Sequence, residues 1–463
     1  MSLRLVILVI FKLFLVVNPS NVLAQRSLNF NNTDVAPEPF ICPGQKPIKA
    51  KVPTPNNEEE LSLPSLDLVS TALATYQPPT TEANSQSTPL LLPKNLKQPI
   101  KIGIWGDSHL AANFFSEELM KSIGISKDDV LPSFFAANIG RAGVRLPLRK
   151  TCLGGGWKYT YAYTANPQNL SNPTISNEFP IGMIRMQAKN LDSYLWLDFR
   201  TQALSIPSMQ SIEILLDPIG IDEQTILGIT LDDGINESMV EVGRLSKLNI
   251  SADFPFSTMK IRLIRGSLSL NGFIPHYTKT PQVSIDNIAI PGSTARSWTN
   301  INQINSYIPP YDLAILAYGT NEGNNPKFDS ATYQADLKQG LTNFRRIYPS
   351  TACILIGPTD RGILVPSNKH LKKGIKPKQV PDLLKYSKVH ANISRIQEVE
   401  AFIAGCSFWD WQKAMGGLGS AYTWAYEKPP LMSKDLIHLT IPGYQRSARQ
   451  FSSDFLLKSL INP

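Results

Sequence analysis

The chain is poor in cysteine and histidine, two residues that bind transition metals: its 463 residues include only four cysteines and five histidines. The cysteines, Cys42, Cys152, Cys353 and Cys406, are spaced in no zinc-binding pattern. We therefore expect neither a metal site nor a cofactor. Four cysteines are compatible with an oxidising compartment, where disulfides persist.

Long runs of one kind of residue are also missing. No basic run is long enough to indicate nucleic-acid binding, although the formal net charge is +8. A positive surplus of this size fits an anionic cell-wall polymer, but general solubility is its more usual meaning. The chain has no broad apolar segment of the kind that forms a lid in general lipases, so that class of enzyme is not supported.

The first apolar run is too short to span a membrane. Leu5 to Val17 is mostly apolar, but Lys12 breaks the run, and a spanning helix needs about 20 apolar residues. Arg4 precedes the run and Val22-Leu23-Ala24 follows it, which is the pattern of a secretory signal peptide with its cleavage site. We expect residues 1–24 to be removed and the mature chain to be periplasmic without a stable membrane span. An uncleaved anchor is the alternative.

The rest of the chain divides into an arm and two kinds of folded segment. Residues 25–97 are rich in Pro, Asn, Ser, Thr and Glu, which predicts an extended arm or linker. Residues 98–150 and 286–463 alternate strand-like and helix-like runs, which predicts a three-layer α/β/α unit with a parallel sheet. Residues 151–285 contain short strand-like runs separated by turn signals such as Asn271-Gly272. This texture predicts a β-sandwich inserted into the α/β unit.

Two of the cysteines begin strand-like runs. Cys353 starts the run to Ile356, and Cys406 starts the run to Trp409. If these strands are neighbours in one parallel sheet, a Cys353–Cys406 disulfide at their starts is geometrically reasonable. A Cys42–Cys152 pair follows by elimination, and free buried thiols are the alternative.

The tetrad Gly106-Asp107-Ser108-His109 lies between the apolar run that ends at Trp105 and a helix-like stretch, Leu110 to Ile123. A strand that breaks at a glycine and places a serine at a helix start exposes a nucleophile. The first-turn amides favour the negative charge that develops there. We interpret Ser108 as a catalytic nucleophile, with a helix N-cap serine as the alternative. His109 is expected to pack or to line the pocket.

The segment Asp435-Leu436-Ile437-His438 places an acid and a histidine three residues apart, before the last helix-like segment. A serine hydroxyl is a weak nucleophile until a base removes its proton. His438 is the predicted base, because the other histidines lie in no comparable motif. Asp435 is predicted to orient the imidazole, and a solvated loop acid is the alternative interpretation.

A tetrahedral intermediate needs hydrogen-bond donors at its oxyanion. The predicted donors are the N–H of Ser108 and the side-chain amide of Asn321 in Gly319-Thr320-Asn321-Glu322. A third donor, a backbone glycine in an Asn-x-x-x-x-Gly block, is implied by the resemblance of these motifs to the SGNH hydrolase superfamily. Two segments compete for the glycine: Asn138 to Gly143, which includes Gly140, and Asn287 to Thr294, which includes Gly292. We prefer Gly292, because it follows a strand-like run and precedes Asn321 by about one βα unit.

Together these blocks resemble the SGNH (GDSL-type) hydrolase superfamily over about half the chain, in two pieces. The resemblance implies a flavodoxin-like α/β/α fold and a carboxylic ester hydrolase that acts through Ser108, His438 and Asp435. Glu322 stands where many members have Asp, a departure that leaves the Asn321 amide intact.

The inserted β-domain and the segment Phe408 to Gly417 narrow the resemblance. With them, the chain looks like the bacterial peptidoglycan O-acetylesterases, whose insert resembles a carbohydrate-binding module. That resemblance implies an exported acetylesterase whose partner is an O-acetylated cell-wall glycan. The alternatives are an SGNH-type glycan O-acetyltransferase, which would use the same triad, and a non-catalytic glycan-binding protein.

Overall fold

The computed structural model describes residues 25–30, 61–77, 90, 99–165, 179–200, 208–232, 236–301, 307–366 and 381–458. The predicted signal peptide, residues 1–24, lies outside the described residues. So does Cys42, and the predicted Cys42–Cys152 pair therefore also lies outside them. In the described part of the chain, no helix combines the length and the apolar character that a membrane span requires.

The strands are β1 (Gln25–Phe30), β2 (Leu61–Ser62), β3 (Ile100–Gly106), β4 (Phe135–Ala136), β5 (Lys150–Gly154), β6 (Lys158–Tyr161), β7 (Ile184–Ala188), β8 (Tyr194–Asp198), β9 (Met209–Leu216), β10 (Ile226–Leu231), β11 (Glu237–Glu241), β12 (Lys247–Phe256), β13 (Thr258–Arg265), β14 (Leu268–Tyr277), β15 (Val283–Asn287), β16 (Leu313–Ala317), β17 (Ala352–Ile356), β18 (Val365–Pro366) and β19 (Ser407–Trp409). The helices are α1 (Leu66–Ala74), α2 (Ser108–Ala111), α3 (Phe114–Ser122), α4 (Thr320–Gly323), α5 (Ser330–Ile347), α6 (Lys385–Ile403), α7 (Trp411–Met415), α8 (Ser420–Tyr426) and α9 (Ile441–Asp454).

A parallel sheet forms the centre of the α/β unit. Among the described residues it has five strands in the order β15-β3-β16-β17-β19. The strands are short and almost wholly buried, as expected for a sheet covered on both faces. On one face Ile102 and Ile315 pack in a core shared with α3 and α9, and on the other Trp105 and Leu316 pack in a core shared with α5 and α6. The predicted three-layer fold is confirmed.

The helices form because their apolar residues recur at helical spacing. In α5, Tyr333, Leu337, Leu341 and Phe344 are buried along one stripe, while the intervening polar residues face outward. Asp329 caps the helix, since its side chain accepts a hydrogen bond from the N–H of Thr332. Because the five strands run parallel, their carboxyl ends lie at one edge of the sheet.

Most of the remaining strands form two sheets that share one apolar core. Their orders are β1-β12-β9-β14-β7-β6, with β4 also paired to β14, and β11-β10-β13-β8-β5. The described pairs are antiparallel except β1 with β12. Ile212 and Ile214 from the first sheet, and Leu227 and Ile261 from the second, belong to the same buried cluster. This is the predicted β-sandwich.

The sandwich and the α/β unit are joined at Trp105. This side chain is fully buried at the end of β3, and its indole N–H donates to the Ile181 carbonyl oxygen at 3.1 Å. Its ring lies 5.1 Å from that of Trp298, which follows β15. Strand β3, which leads into Ser108, is therefore anchored in both units.

Parts of the predicted arm are ordered against these units. Strand β1 pairs in parallel with β12 at the edge of a sandwich sheet, and β2 pairs with β18. Helix α1 buries Val69 in the core that contains α3 and α9. The arm thus contributes a strand to each unit as well as a helix.

Two expectations about local structure were wrong. The helix predicted from Leu110 to Ile123 is two helices, because Asn113 adopts a left-handed conformation with φ 64° between α2 and α3. Asn271-Gly272 is not a turn between strands but lies inside β14. Gly272 has φ 152°, and a side chain there would collide with Phe135 of β4, so the glycine permits close strand pairing rather than a reversal of the chain.

The predicted Cys353–Cys406 disulfide is confirmed. Its Cα atoms are 4.8 Å apart. Cys353 is the second residue of β17, and Cys406 immediately precedes β19, the strand paired with β17. The bridge therefore closes the amino-terminal end of these two strands, opposite the edge that carries Ser108.

Candidate active site

The backbone around Ser108 makes a sharp turn from strand to helix. A Cβ atom on Gly106 would lie 2.7 Å from the Ala317 carbonyl oxygen on β16, so the close strand contact requires glycine. Asp107 is extended, and its carboxylate caps α2 by accepting from the His109 N–H at 2.9 Å. The N-cap is thus Asp107 and not Ser108. Because Ser108 is the first residue of α2, its own N–H has no intrahelical acceptor.

Ser108, His438 and Asp435 form a connected hydrogen-bonded array. Ser108 Oγ lies 2.9 Å from His438 Nε2, and His438 Nδ1 lies 2.7 Å from Asp435 Oδ2. The other oxygen of Asp435 accepts from the backbone N–H groups of Ile437 and His438, both at 3.0 Å. These partners assign the tautomer: Nδ1–H donates to Asp435 and Nε2 accepts from Ser108. The three predicted triad residues are therefore brought together in the order that proton transfer requires.

The array sets the protonation states of its members. Burial opposes ionisation of Asp435, but hydrogen bonds from His438 and the backbone outweigh it and lower the pKa of Asp435 to about 2. The hydrogen bond from Asp435 raises the pKa of His438 above its ordinary value of 6.5. An ionised Asp435 beside a more basic imidazole suits a general base that must hold a proton transiently.

Gly292 occupies a tight turn at the same edge of the sheet. Ser293 N donates to the Ile290 carbonyl oxygen at 3.0 Å, and Pro291 and Gly292 fill the two central positions. Gly292 has φ 88°, the left-handed conformation that a type II turn demands at its third residue. Among the described residues no acceptor binds the Gly292 N–H. Its hydrogen is available to a ligand.

Asn321 adjoins this turn. Its Nδ2 donates one hydrogen to the Ser293 carbonyl oxygen at 2.8 Å, which leaves the second amide hydrogen available. The carboxylate of Glu322 braces both sides: Oε1 accepts from Ala295 N at 2.9 Å, and Oε2 accepts from Gly319 N at 3.1 Å. Burial raises the pKa of Glu322 to about 7. The Gly292 turn and the turn of Asn321 are thus fixed to each other.

The competing glycine segment lies beside the Gly292 turn. Asn138 Nδ2 donates to the Ala289 carbonyl oxygen at 3.4 Å, and a Cβ on Gly143 would lie 3.2 Å from Pro291 Cγ. A Cβ on Gly140 would overlap Leu153, so this glycine serves a close backbone approach. The Asn138 segment supports the turn from behind, and Gly292 remains our candidate donor.

His109 packs behind the array and does not join it. It is buried, its Nδ1 lies 3.3 Å from the Tyr444 hydroxyl, and its ring centre lies 5.4 Å from that of His438. Burial, followed by the nearby His438, lowers the pKa of His109 to about 3. A neutral ring here supports His438 without competing for its proton, which agrees with the expectation that His109 packs.

Arg361 is a residue near the candidate site that the sequence motifs did not identify. This residue follows β17 by five positions, and its guanidinium carbon lies 3.8 Å from the centre of the Tyr386 ring. The backbone of the next residue, Gly362, donates to the Leu436 carbonyl oxygen at 3.0 Å. The available signal was its position past the carboxyl end of a parallel strand, as for Asn321.

Within the described ranges, no three His, Cys, Asp or Glu side chains lie close enough together to hold a metal ion.

No model of a known protein family and no curated protein matches the chain. A solved peptidoglycan O-acetylesterase does match, with a TM-score of 0.53 and 20% identity over 78% of this chain and 91% of the other. A family 2 carbohydrate esterase with a carbohydrate-binding domain from Corynascus thermopiles (Myceliophthora fergusii) matches with a TM-score of 0.26 and 10% identity, over 66% of this chain and 99% of the other. A lipase/acylhydrolase from Enterococcus faecalis matches with a TM-score of 0.26 and 17% identity, over 38% and 77%.

The first of these matches carries the argument. It extends over both the α/β unit and the β-sandwich, since neither unit alone makes up 78% of the chain. At 20% identity the likeness shows the fold. The predicted resemblance is confirmed at that level.

Proposed function

We propose that this chain, which has the fold of a peptidoglycan O-acetylesterase, is an exported serine esterase that removes O-acetyl groups from a cell-wall glycan, with peptidoglycan as the substrate. One observation carries the proposal: Ser108 Oγ lies 2.9 Å from His438 Nε2, and His438 Nδ1 lies 2.7 Å from Asp435. A nucleophile, a base and a group that orients the base are the parts of an acyl-transfer site.

In the proposed first half-reaction, Ser108 Oγ attacks the acetyl carbonyl carbon while its proton passes to His438 Nε2. The negative charge that develops on the carbonyl oxygen is met by the N–H groups of Ser108 and Gly292 and by the free amide hydrogen of Asn321. The bond between the acetyl carbon and the sugar oxygen then breaks, and His438 returns its proton to that oxygen. The sugar leaves as the free alcohol, and the acetyl group remains on Ser108.

In the second half-reaction, water attacks the acetyl-serine. His438 Nε2 takes a proton from the water, the same donors hold the oxyanion, and the bond to Ser108 Oγ breaks. The proton on His438 passes to the serine oxygen, acetic acid departs, and the resting array is restored. Asp435 stays ionised throughout and stabilises the imidazolium.

Water access favours hydrolysis over acetyl transfer. The side chains of His438 and Asp435 are 41% and 45% exposed. Because water can reach the base from the solvent side, an acetyl-enzyme here does not depend on a sugar acceptor for its turnover. The acetyltransferase alternative would need a site that keeps water out.

The location and the substrate rest on separate support. The signal-like segment 1–24 supports export, and a positive net charge suits contact with an anionic wall polymer. The fold match supports an acetylated wall glycan. Peptidoglycan is the substrate we propose on that basis.

Acetate release tests the proposal. The mature protein is incubated with O-acetylated peptidoglycan, with the same material after chemical de-O-acetylation, and in parallel as Ser108→Ala. We expect rapid acetate release only from the acetylated wall and only with Ser108 present. Release that survives in Ser108→Ala excludes the serine mechanism. Serine-dependent turnover of a small acetyl ester without release from the wall moves the substrate to another glycan or the reaction to transfer.

A further inference from the structure

We propose that Arg361 is a specificity residue that binds an oxygen acceptor, a carboxylate or an amide carbonyl, on the alcohol side of the scissile ester. The inference rests on the proposed esterase function and adds to it how the sugar is recognised. It starts from a guanidinium group whose hydrogen-bonding capacity is unmet at the edge of the site.

The first step is the state of the guanidinium. Arg361 Nε and Nη1 are buried, and neither has a hydrogen-bond partner within the described part of the chain. A guanidinium carries five N–H donors and no acceptor, so a buried face without partners is unfavourable unless a ligand or water supplies oxygen atoms. The residue as a whole is only partly buried, so the accessible part of the guanidinium can meet such a ligand, and Nε and Nη1 come within its reach through a small rotation of the side chain.

The second step is rigidity. The guanidinium stacks on Tyr386 of α6 at 3.8 Å, a contact that fixes its plane. The preceding residue, Asp360, is fully buried and accepts hydrogen bonds from Gln412 Nε2 at 2.7 Å and Ala421 N at 2.8 Å. A side chain anchored on both sides loses little freedom on binding, which favours its use in recognition.

The third step is the side of the ester that Arg361 faces. The carbonyl oxygen of the substrate must point to the Gly292 turn and Asn321, whereas the alcohol oxygen must lie by His438 Nε2 to receive its proton. Arg361 belongs to the His438 side, since Gly362 N donates to the carbonyl oxygen of Leu436 in the His438 loop. The group it binds is therefore carried by the alcohol, that is, by the sugar.

Asp435 does not satisfy this guanidinium. Its oxygens already accept from His438 Nδ1 and from the N–H groups of Ile437 and His438. Arg361 does act on the array at a distance: its charge opposes the rise in the pKa of His438. A purely electrostatic role is thus the competing explanation, and it predicts equal effects on every ester.

The experiment compares esters that share the acetyl group and differ in the alcohol. The substrates are 6-O-acetylated N-acetylmuramic acid, which carries a carboxylate and an amide, 6-O-acetylated N-acetylglucosamine, which carries the amide alone, 6-O-acetylglucose, which carries neither, and 4-nitrophenyl acetate. Wild-type protein is compared with Arg361→Gln and Arg361→Lys. Arg446→Gln is the matched control, because Arg446 also stacks on an aromatic ring, Trp424 at 5.3 Å, and is exposed on α9.

We expect Arg361→Gln to lower kcat/KM about 10- to 100-fold for the sugars that carry the acceptor, the loss typical of a charge-assisted hydrogen bond. The loss on 6-O-acetylglucose and 4-nitrophenyl acetate should stay within about threefold. A loss with both N-acetylated sugars assigns the amide carbonyl, and a loss with N-acetylmuramic acid alone assigns the carboxylate. Arg361→Lys should recover part of the loss only in the second case. Equal losses on all four esters, with a shifted pH profile, would overturn the proposal.

Binding separates this inference from the proposed function. Calorimetry with the 6-O-acetylated N-acetylmuramic acid compares Ser108→Ala with the double variant Ser108→Ala/Arg361→Gln, so no turnover is needed. We expect the Kd to rise at least about tenfold in the double variant. An unchanged Kd excludes Arg361 from recognition even if the protein is an esterase. A raised Kd sustains the inference even if acetate release fails.

Discussion

The carboxylate of Glu322 joins Ala295 to Gly319, accepting from the Ala295 N–H at 2.9 Å and from the Gly319 N–H at 3.1 Å. Ala295 follows the Gly292 turn, and Gly319 begins the turn that carries Asn321. The side chain of Glu322 thus spans the two loops that carry the oxyanion donors we propose, Gly292 and Asn321. The buried carboxylate therefore ties the Gly292 turn to the turn that carries Asn321.

Replacing Glu322 by Gln should weaken both the fold and the site. Gln offers one acceptor oxygen where the carboxylate offers two, so one buried N–H loses its partner, at a cost of about 1–3 kcal/mol in the free energy of unfolding. Loss of the charge, which burial disfavours, offsets part of this cost as the pH rises. We also expect a fall in kcat, because the Gly292 turn is no longer fixed to Asn321. Urea unfolding and ester kinetics measure the two effects. The control is Glu223→Gln, whose exposed ion pair with Arg244 contributes little; equal effects of the two substitutions would contradict the assignment.

The raised pKa of Glu322 gives this prediction a pH dependence. Burial lifts the pKa from 4.5 to about 7, so the folded state holds a proton that the unfolded chain has lost. Stability from this group is therefore fully present below pH 4.5 and is lost as the pH rises through about 7. The stability difference between wild type and Glu322→Gln should shrink over this window, and a difference that grows with pH would contradict the sign.

Removal of the nucleophile or the base should abolish turnover to a similar extent. Ser108→Ala and His438→Ala are each expected to lower kcat on the order of 10⁴- to 10⁶-fold, and the double variant should be no worse than either, because the residues act as one unit. Single-turnover acetate release with matched thermal unfolding curves checks this. Additive losses in the double variant would mean that the two residues do not share one step.

Asp435→Asn should change the pH profile as well as the rate. His438 acts as a base only when neutral, so activity falls as the pH drops through its pKa, which Asp435 raises above 6.5. Without the carboxylate the pKa of His438 falls, and the acid limb of kcat/KM should move to lower pH while kcat drops on the order of 10⁴-fold. A limb that stays in place would show that another group titrates there.

Asn321→Ala tests the oxyanion donor. We expect kcat to fall roughly 10²- to 10³-fold with little change in KM, because the bond strengthens only as charge develops. The substitution also removes the 2.8 Å hydrogen bond to Ser293. Asn343→Ala is the control, since Asn343 Nδ2 likewise donates to backbone oxygens but lies on α5. A loss below about threefold for Asn321→Ala would remove it from the site.

The sequence was informative where chemistry and local pattern coincide. Ser108, Gly292 and Asn321 each follow an apolar run, and the carboxyl ends of parallel strands meet at one edge, so their convergence could be predicted. The segment that includes Gly140 competed with Gly292 in the sequence, and the contact of Asn138 with Ala289, which places that segment against the Gly292 turn, forms only in the folded chain.

Other features depend on contacts that no local pattern encodes. Strand β14 contains Gly272 because the Phe134 ring and the Phe135 carbonyl oxygen, far away in the chain, lie where a side chain would be. The position of Arg361 beside the His438 loop is set by its contact with the Tyr386 ring and by the hydrogen bond from Gly362 N to the Leu436 carbonyl oxygen. Neither contact can be predicted from residue propensity or hydrophobic periodicity, because each contact arises from tertiary packing.

The Cys353–Cys406 disulfide should stabilise the fold without taking part in the chemistry. It links residues 53 apart in the chain, and closing a loop of that length in the unfolded state corresponds to about 4 kcal/mol. The bridge lies at the amino-terminal ends of β17 and β19, whereas Ser108, Asn321 and Arg361 lie past the carboxyl ends of their strands. Cys353→Ser/Cys406→Ser should therefore unfold at lower urea concentration yet keep kcat within about twofold under folding conditions. A large loss of kcat in the folded double variant would show that strain at one end of the sheet reaches the other, and the bridge would then belong to the site's support.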